Sequence, residues 1–285
     1  MIVITGATGA LNGATVKNLL GRIPADQIGV SVRSTDKARH FADRGVRVRQ
    51  GSYEDPATLR DSFEGADQVL LVSSNDPHAD AVALHRIGIE AAVQAGAQHI
   101  LYTSHQGAGA DSPFHPARDH AATEQLLAES GVAWTSLRNG FYAHSLGWLL
   151  GPWQETGTIT TPADGPVSWT DRADAAEAAA VILAGDRPFD GPVTLTARQA
   201  VTFDDVAALA SQVSGRRIKR AVMDDEEWTA AKVAAGTPEV MARMTLATFQ
   251  AAREGRFAGV DPLLGELLGR EPRAIADQLA DSIPG

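Results

Sequence analysis

The sequence predicts an α/β fold: a doubly wound parallel sheet with helices on both faces, followed by a smaller, mainly helical C-terminal lobe. Short runs rich in β-branched residues alternate with longer segments of helical period through the first half of the 285 residues, and this alternation is typical of parallel βαβ units. The run at residues 68–72 is almost wholly apolar, as expected of a strand covered on both faces. A glycine-rich turn directly follows the first strand.

The individual elements follow from the same periodicities. Strands are predicted where β-branched and apolar residues cluster, at Ile2–Thr5 and at residues 27–33, 46–50, 68–72, 99–103 and 133–138. Helices are predicted between them, the first ending near Gly21 and the last two covering residues 79–95 and 121–130. Six strands joined by five helices make a doubly wound sheet.

The pattern changes after residue 138, because glycine and proline interrupt residues 151–166 repeatedly. We therefore expect two domains, residues 1–138 and residues 139–285. In the second domain we predict helices at 171–184 and 204–214, a strand at 192–196 and mostly helix from residue 224 onward. The helix at 171–184 is a candidate to pack back on the first domain.

Composition and charge exclude several classes of protein. The 25 Lys and Arg residues against 35 Asp and Glu residues give a net charge of −10, which disfavours binding to nucleic acid or to an anionic membrane surface. The absence of cysteine excludes disulfides and thiolate metal sites. No apolar run reaches the length of about 18 residues that a membrane-spanning helix needs, and the chain opens on a strand without a basic and apolar leader. We expect a cytoplasmic protein.

The glycine-rich turn is the strongest motif. Gly6, Thr8, Gly9, Ala10 and Leu11 follow the first strand and open a helix. At this position a turn without side chains lets a pyrophosphate reach main-chain amides at the positive end of the helix dipole. The sequence therefore predicts a Rossmann domain that binds a dinucleotide.

Three segments carry a resemblance to a known family: the GATG turn at residues 6–9, VRS at residues 32–34 and TSLRNGFY at residues 135–142. With these segments the chain resembles the NmrA-like group of atypical short-chain dehydrogenases/reductases. Along nearly its whole length it is similar to NAD(P)H quinone oxidoreductases and triphenylmethane dye reductases. The resemblance implies a Rossmann domain with an NAD(P) cofactor and a C-terminal substrate-binding lobe.

The end of the second strand decides which cofactor is expected. An acidic residue there binds the ribose hydroxyl of NAD, whereas Arg33 suits the 2′-phosphate of NADP. Ser34 and Lys37 follow closely, so we predict NADPH. Two departures from the family pattern are expected to weaken its binding: Asn12 stands at the third glycine position, and Ser52 replaces the usual Asp after the third strand.

Ligands of open α/β sheets lie beyond the carboxyl ends of the strands. Further cofactor contacts are therefore expected at Ser73, Ser74, Asn75, Thr103 and Asn139. By resemblance these groups flank the nicotinamide and its ribose. Phe141 and Tyr142 follow the sixth strand, and either a position facing the substrate or a place in the core between the lobes is open for them.

No Tyr-x-x-x-Lys pair is present on the helix after the fifth strand, although ordinary short-chain dehydrogenases use one as a proton donor. Reduction of a simple ketone needs such an acid, whereas a conjugated, electron-poor acceptor spreads or cancels the charge. The catalytic residue is unknown, with His105, His120 and Tyr142 as candidates. His120 and Glu124 share one helical face, where a surface ion pair and a catalytic role both stay open. The histidine spacing matches no common metal site.

These observations predict an NADPH-dependent reductase that transfers a hydride directly to a quinone or a similar conjugated electrophile, without flavin or metal. A sensor that binds NAD(P) without turning it over, as NmrA proteins do, is an alternative. A tailoring reductase acting on an aromatic polyketide is another. The expected partner is a small molecule, and the protein is expected to be a monomer or a homodimer.

Overall fold

The computed structural model describes residues 1–74, 76, 78–185 and 189–281. Its strands are β1 (Ile2–Thr5), β2 (Ile28–Val32), β3 (Arg47–Gln50), β4 (Gln68–Leu71), β5 (His99–His105), β6 (Ala133–Asn139), β7 (Thr158–Thr161), β8 (Gly191–Leu195) and β9 (Lys219–Val222). Seven of them form one parallel sheet in the order β3-β2-β1-β4-β5-β6-β8, and β7 pairs with β9 in a separate parallel ribbon. The predicted doubly wound α/β fold is confirmed.

Helices cover both faces of the main sheet. They are α1 (Ala10–Leu19), α2 (Arg39–Ala42), α3 (Pro56–Ser62), α4 (Ala81–Gln94), α5 (His115–Glu129), α6 (Leu146–Leu149), α7 (Trp153–Thr156), α8 (Arg172–Ala184), α9 (Phe203–Ser214), α10 (Asp225–Ala234), α11 (Glu239–Arg253), α12 (Leu263–Leu268) and α13 (Ile275–Asp281). Residues of α1, α2, α8 and α12 pack on one face, and residues of α3, α4 and α5 pack on the other.

The two faces of the sheet are separated by the alternation of side chains along each strand. In β1, Ile2 and Ile4 belong to the core that contains Val16 of α1, whereas Val3 belongs to the core that contains Leu59 of α3. All three β1 residues are buried. Both sides of the strand are therefore covered, which explains the continuous apolar runs in the sequence.

The sheet has a seventh strand that the sequence analysis did not assign to it. The segment predicted as a strand at 192–196 is β8, and it pairs in parallel with β6 so that Pro192 lies opposite Ser136. Because β8 is the edge strand, the missing amide hydrogen of Pro192 is tolerated. Helix α8 packs directly against α1, so residues beyond 138 return to the first sheet. The division at residue 138 stays a prediction.

The remaining C-terminal elements form a second core. Its buried residues include members of α6, α7, α9, α10, α11 and α13, together with Ile159 of β7 and Ile218 just before β9. Trp153, Trp169, Phe203, Trp228 and Phe249 are among the largest side chains in it. The lobe is mainly helical, as predicted, with the short parallel ribbon as an addition.

Helix α5 begins at His115, six residues before the predicted start. Pro116 occupies the first turn of this helix, where proline is favoured because the amide it lacks would have no partner there. The early start places His120 within the helix, facing the carboxyl ends of the strands. Over the described residues, no helix is both long and apolar enough to cross a lipid bilayer.

Candidate functional site

A cleft of about 850 Å³ opens at the carboxyl ends of β1, β2, β4, β5 and β6. The first lobe contributes most of its wall, and Tyr142, His144 and Arg172 close it from the segments that follow β6. A cleft at this edge of the sheet is where open α/β folds bind their ligands. The lining contains these predicted cofactor contacts: Gly6, Thr8, Gly9, Ala10, Leu11, Arg33, Ser73, Ser74, Thr103 and Asn139. The remaining predicted contact, Asn75, lies outside the described residues.

The turn after β1 is built for close approach of a ligand. Gly6 has a φ of 63°, and a Cβ at this position would lie 2.6 Å from Cγ1 of Val72. Gly9 stands at the N-terminal end of α1 with no side-chain cap, so the first amides of α1 are free to bind an anion. A bare turn below a helix N-terminus fits the pyrophosphate of a dinucleotide.

Asn12 and Gly13 show how the departure from the family pattern is accommodated. The side-chain nitrogen Nδ2 of Asn12 donates a hydrogen bond to the backbone carbonyl oxygen of Thr5 at 2.8 Å. Gly13 provides the close approach of helix to turn, because a Cβ there would lie 2.8 Å from the carbonyl oxygen of Ala7. The side-chain oxygen of Asn12 is buried and has no hydrogen-bond partner among the described residues. Helix α1 therefore packs closely despite Asn12.

Arg33 lines the cleft where β2 ends, and its side chain is exposed. Within the described part of the chain it forms no ion pair, so its guanidinium is available to a ligand. Ser34 and Lys37 do not line the cleft. Ser52 does, and its hydroxyl oxygen accepts a hydrogen bond from the amide of Glu54 at 3.2 Å. These positions fit the 2′-phosphate and adenine end of a dinucleotide.

The segment after β4 is fixed by hydrogen bonds to two neighbouring elements. The amide of Ser73 donates to the hydroxyl of Thr103 at 2.8 Å. The amide of Ser74 donates to Nε2 of His85, also at 2.8 Å. Burial lowers the pKa of His85 to about 4, so its ring stays neutral and able to accept. His85 on α4 was missed by the sequence analysis, because nothing in a helix of ordinary composition marks a residue that supports a distant loop.

Asn139 and Tyr142 form the wall next to Thr103. The side-chain nitrogen Nδ2 of Asn139 donates a hydrogen bond to the hydroxyl of Tyr142 at 3.2 Å. Burial raises the pKa of that hydroxyl to about 12. The side-chain oxygen of Asn139 is buried without a partner in the described residues. Buried polar atoms normally have partners, so this unpaired oxygen points to a ligand with a hydrogen-bond donor, such as a carboxamide.

Phe141 belongs to the core between the lobes and does not line the cleft. Its ring lies 5.2 to 6.1 Å, centre to centre, from the rings of His105, Phe114, Trp169 and Phe257. The sequence left the same two positions open for Phe141 and Tyr142, and the structure assigns a different one to each. Tyr142 faces the cleft and Phe141 faces the aromatic cluster.

His105 reaches both the cleft and the aromatic cluster. Its Nδ1 accepts a hydrogen bond from the amide of Gly107 at 3.0 Å. Burial lowers its pKa to about 4, so the neutral ring carries its proton on Nε2. That nitrogen is buried and has no partner among the described residues.

His120 and Glu124 do not form the surface ion pair that the sequence left open. Glu124 is buried and accepts hydrogen bonds from Ser104 at 2.8 Å, from Ser136 at 2.6 Å and from Arg138 at 2.5 and 3.0 Å. His120 instead contacts the hydroxyl of Tyr102 at 2.8 Å and lines the cleft. Their spacing of four residues correctly predicted that both lie on one face of α5, but that face packs toward the interior of the protein and is not the solvent-exposed face.

Two cleft residues from the second half of the chain were not predicted. Nη1 of Arg172 lies 3.4 Å from Nε2 of His144, and both residues line the cleft. Arg172 follows Asp171, which caps α8, so the sequence marked a helix start here without showing that it faces the glycine turn. No cluster of metal-binding side chains is present in the described ranges.

Comparison with known proteins places the chain in a family. Residues 1–266 match the NmrA-like family. Quinone oxidoreductase 2 from Escherichia coli strain K12 is 33% identical over 98% of each chain. The crystal structure of the NADPH-dependent quinone oxidoreductase QOR2 from E. coli with NADPH superposes with a TM-score of 0.93 at 32% identity over 99% of each chain. The Citrobacter sp. triphenylmethane reductase with NADP(H) gives a TM-score of 0.89 at 33% identity over 99% of this chain and 100% of that chain. The chain belongs to the NmrA-like family.

Proposed function

We propose that the protein is an NADPH-dependent oxidoreductase that passes a hydride directly to a quinone or a similar conjugated electrophile. The observation that carries the proposal is one continuous cleft. It joins the bare turn at Gly6 and the free guanidinium of Arg33 to the polar wall at Asn139 and Tyr142. The relatives named quinone oxidoreductase and triphenylmethane reductase support the same chemistry.

The residues for holding the cofactor follow from this arrangement. The free amides of Ala10 and Leu11 would hold the diphosphate, and Arg33 would hold the 2′-phosphate with a charge-assisted hydrogen bond. Thr103 and Asn139 would hold the nicotinamide end, next to Ser73 and Ser74. NADPH supplies a hydride when it is bound. The protein's contribution is to orient the cofactor and the acceptor against each other in the cleft.

The acceptor is proposed to be conjugated because the cleft lacks an acid matched to a simple ketone. Tyr142 would stand where a proton donor is needed, but burial raises its pKa to about 12. The histidines that line the same end, His105 and His120, have lowered pKa values because they are buried. None of these side chains readily gives up a proton at neutral pH. An electron-poor acceptor avoids that requirement, because the incoming charge is spread over its conjugated system.

The test is an assay of NADPH oxidation by the purified protein with a panel of benzoquinones and naphthoquinones. Acceptor-dependent loss of the absorbance of reduced nicotinamide is expected. Binding of NADPH without such oxidation, measured by calorimetry in parallel, would instead favour a sensor that binds the dinucleotide without turnover. We also propose that the partner is a small molecule, that no flavin takes part, and that the protein acts in the cytoplasm as a monomer or homodimer.

A further inference from the structure

A chain of buried side chains runs from the loop after β4 to the cleft-lining ring of His120. Its first member is His85, whose Nε2 lies 2.8 Å from the amide nitrogen of Ser74. A backbone amide can only donate, so Nε2 of His85 must accept. Because the ring is neutral, its proton resides on Nδ1.

The second contact of His85 agrees with this assignment. Nδ1 of His85 lies 2.8 Å from the hydroxyl oxygen of Thr123. That hydroxyl donates its own hydrogen to the carbonyl oxygen of Asp119 at 2.7 Å, so its oxygen is free to accept. The tautomer of His85 is thus fixed from both sides.

Tyr102 carries the assignment on to His120. The Tyr102 hydroxyl lies 2.8 Å from Nδ1 of His120 and 3.4 Å from Nδ1 of His85. Nδ1 of His85 already carries a hydrogen, so of these two nitrogens only Nδ1 of His120 is able to accept from the hydroxyl. When it does, the neutral ring of His120 carries its proton on Nε2, at the edge turned away from Tyr102.

Several features keep His120 neutral. Burial and the neighbouring rings of His105 and His85 hold its pKa well below the usual range. The charged groups nearest to it along α5 are Asp119 and Glu124. Asp119 is paired with His115 at 3.1 Å, and Glu124 is paired with Arg138. The ring is partly exposed and lines the cleft, as do His105, Asn139 and Tyr142.

We propose that Nε2–H of His120 donates a hydrogen bond to the acceptor oxygen that becomes negatively charged during reduction, and that Tyr102 and His85 are positioning residues that fix its tautomer. This inference rests on the proposed function and adds a catalytic residue to it. Fixed donors aimed at developing charge are among the largest contributions to enzyme catalysis.

The step balances without an acid in the protein. NADPH, when bound, would give the quinone two electrons and one hydrogen as hydride: the C4–H bond of its nicotinamide would break, a bond to that hydrogen would form on the quinone, and the conjugated system would place most of the negative charge on an oxygen. His120 keeps its hydrogen and stabilises that oxygen, and water then supplies the proton that completes the hydroquinone. A cationic triphenylmethane dye differs in one respect, because hydride addition to its central carbon gives a neutral product. No oxyanion forms on that acceptor.

This difference provides the test. In the variant His120→Phe, which keeps a ring but loses the donor, kcat for quinone reduction is expected to fall about 100- to 1,000-fold, the usual cost of one oxyanion donor. The rate with the cationic dye is expected to stay unchanged, as is the Kd for NADPH. His40→Phe is the control, because His40 is an exposed histidine of α2 that does not line the cleft, and this variant should leave both rates unchanged.

A second measurement does not depend on turnover. Nitrogen NMR of histidine-labelled protein should show His120 with an unprotonated Nδ1 and a protonated Nε2 in the wild type. In Tyr102→Phe, which removes one hydroxyl, the two tautomers should mix, and quinone turnover should fall while dye turnover is kept. A proton on Nδ1 of His120 in the wild type would overturn the inference.

The outcomes separate this inference from the proposed function. If the wild-type protein oxidises NADPH with neither quinone nor dye, both proposals fail. If the wild type is active and His120→Phe lowers both rates equally, or lowers neither, the inference alone fails. Loss restricted to the quinone supports it.

Discussion

Arg33 is the residue by which the protein would distinguish NADPH from NADH. The variant Arg33→Ala is expected to raise the Kd for NADPH about 10- to 100-fold, because a charge-assisted hydrogen bond contributes about 1.5 to 3 kcal/mol. The Kd for NADH should change little, since NADH has no 2′-phosphate. Titration of both nucleotides by calorimetry measures the difference.

A matched control is available six residues further on. Arg39 is exposed, pairs with Asp36 at 3.0 Å and does not line the cleft, so Arg39→Ala should leave both dissociation constants unchanged. Equal losses for NADPH and NADH in Arg33→Ala would show that this guanidinium does not bind the 2′-phosphate.

His85 and His105 make stability depend on pH. Burial lowers the pKa of each to about 4, whereas both take up a proton near the ordinary value of about 6.5 once unfolded. The stability that they contribute is therefore complete above about pH 6.5 and is lost as the pH falls toward 4, at about 1.4 kcal/mol per pH unit for each group. Urea unfolding between pH 7 and pH 4 measures this slope.

The variant His85→Gln keeps an acceptor for the amide of Ser74 but does not titrate in this range. Its free energy of unfolding should fall less steeply with decreasing pH than that of the wild type. If the two slopes were the same, the depressed pKa of His85 would be refuted.

At the scale of elements, the turn between β1 and α1 depends on Gly6. The variant Gly6→Ala would carry two costs. The left-handed backbone at this position disfavours a residue with a side chain, and the new Cβ would lie 2.6 Å from Cγ1 of Val72. We expect the free energy of unfolding to fall by about 1 to 3 kcal/mol and NADPH binding to weaken, because the turn must shift away from the ligand. Chemical denaturation and calorimetry measure the two effects.

The variant Gly151→Ala is a control that has the backbone strain of Gly6→Ala without its steric contact. Its φ of 62° matches that of Gly6, but a Cβ there would meet no atom within 4 Å. Gly151→Ala should therefore lose only the cost of the left-handed conformation, about 1 to 2 kcal/mol, and should bind NADPH as the wild type does. Weaker binding in this variant would mean that stability, not the shape of the turn, controls the cleft.

The elements of the first half were predictable because their signals are local. Strand β1, the glycine turn and helix α1 lie within the first 19 residues, so one short window contains both the periodicity and the motif. The start of α5 was predicted six residues too late, because the helix begins with His115 and Pro116, and proline is well accepted in the first helical turn. The role of β8 depends on pairing with β6, more than 50 residues earlier, which no local pattern reveals.

At the scale of the whole molecule, the first sheet needs residues from beyond 138. Buried members of the core on one face include Ala178 and Leu183 of α8, Leu195 of β8 and Leu264 of α12. A fragment of residues 1–138 would expose that face to water, and we expect it to lack a cooperative thermal transition and to bind a hydrophobic dye. Near-ultraviolet circular dichroism during heating, with the full chain as the comparison, measures this. A cooperative transition in the fragment would support residue 138 as a boundary between independent domains.

The fold class, the position of the glycine turn and the basic residue after β2 could be predicted from the sequence, because each depends on residues close together in the chain. Only the folded chain shows that Glu124 points inward to Arg138, that Arg172 reaches the cleft, and that Tyr102 contacts both His120 and His85. The physical reason is that a hydrogen bond or a buried contact is set by distance in space, and the sequence records only distance along the chain.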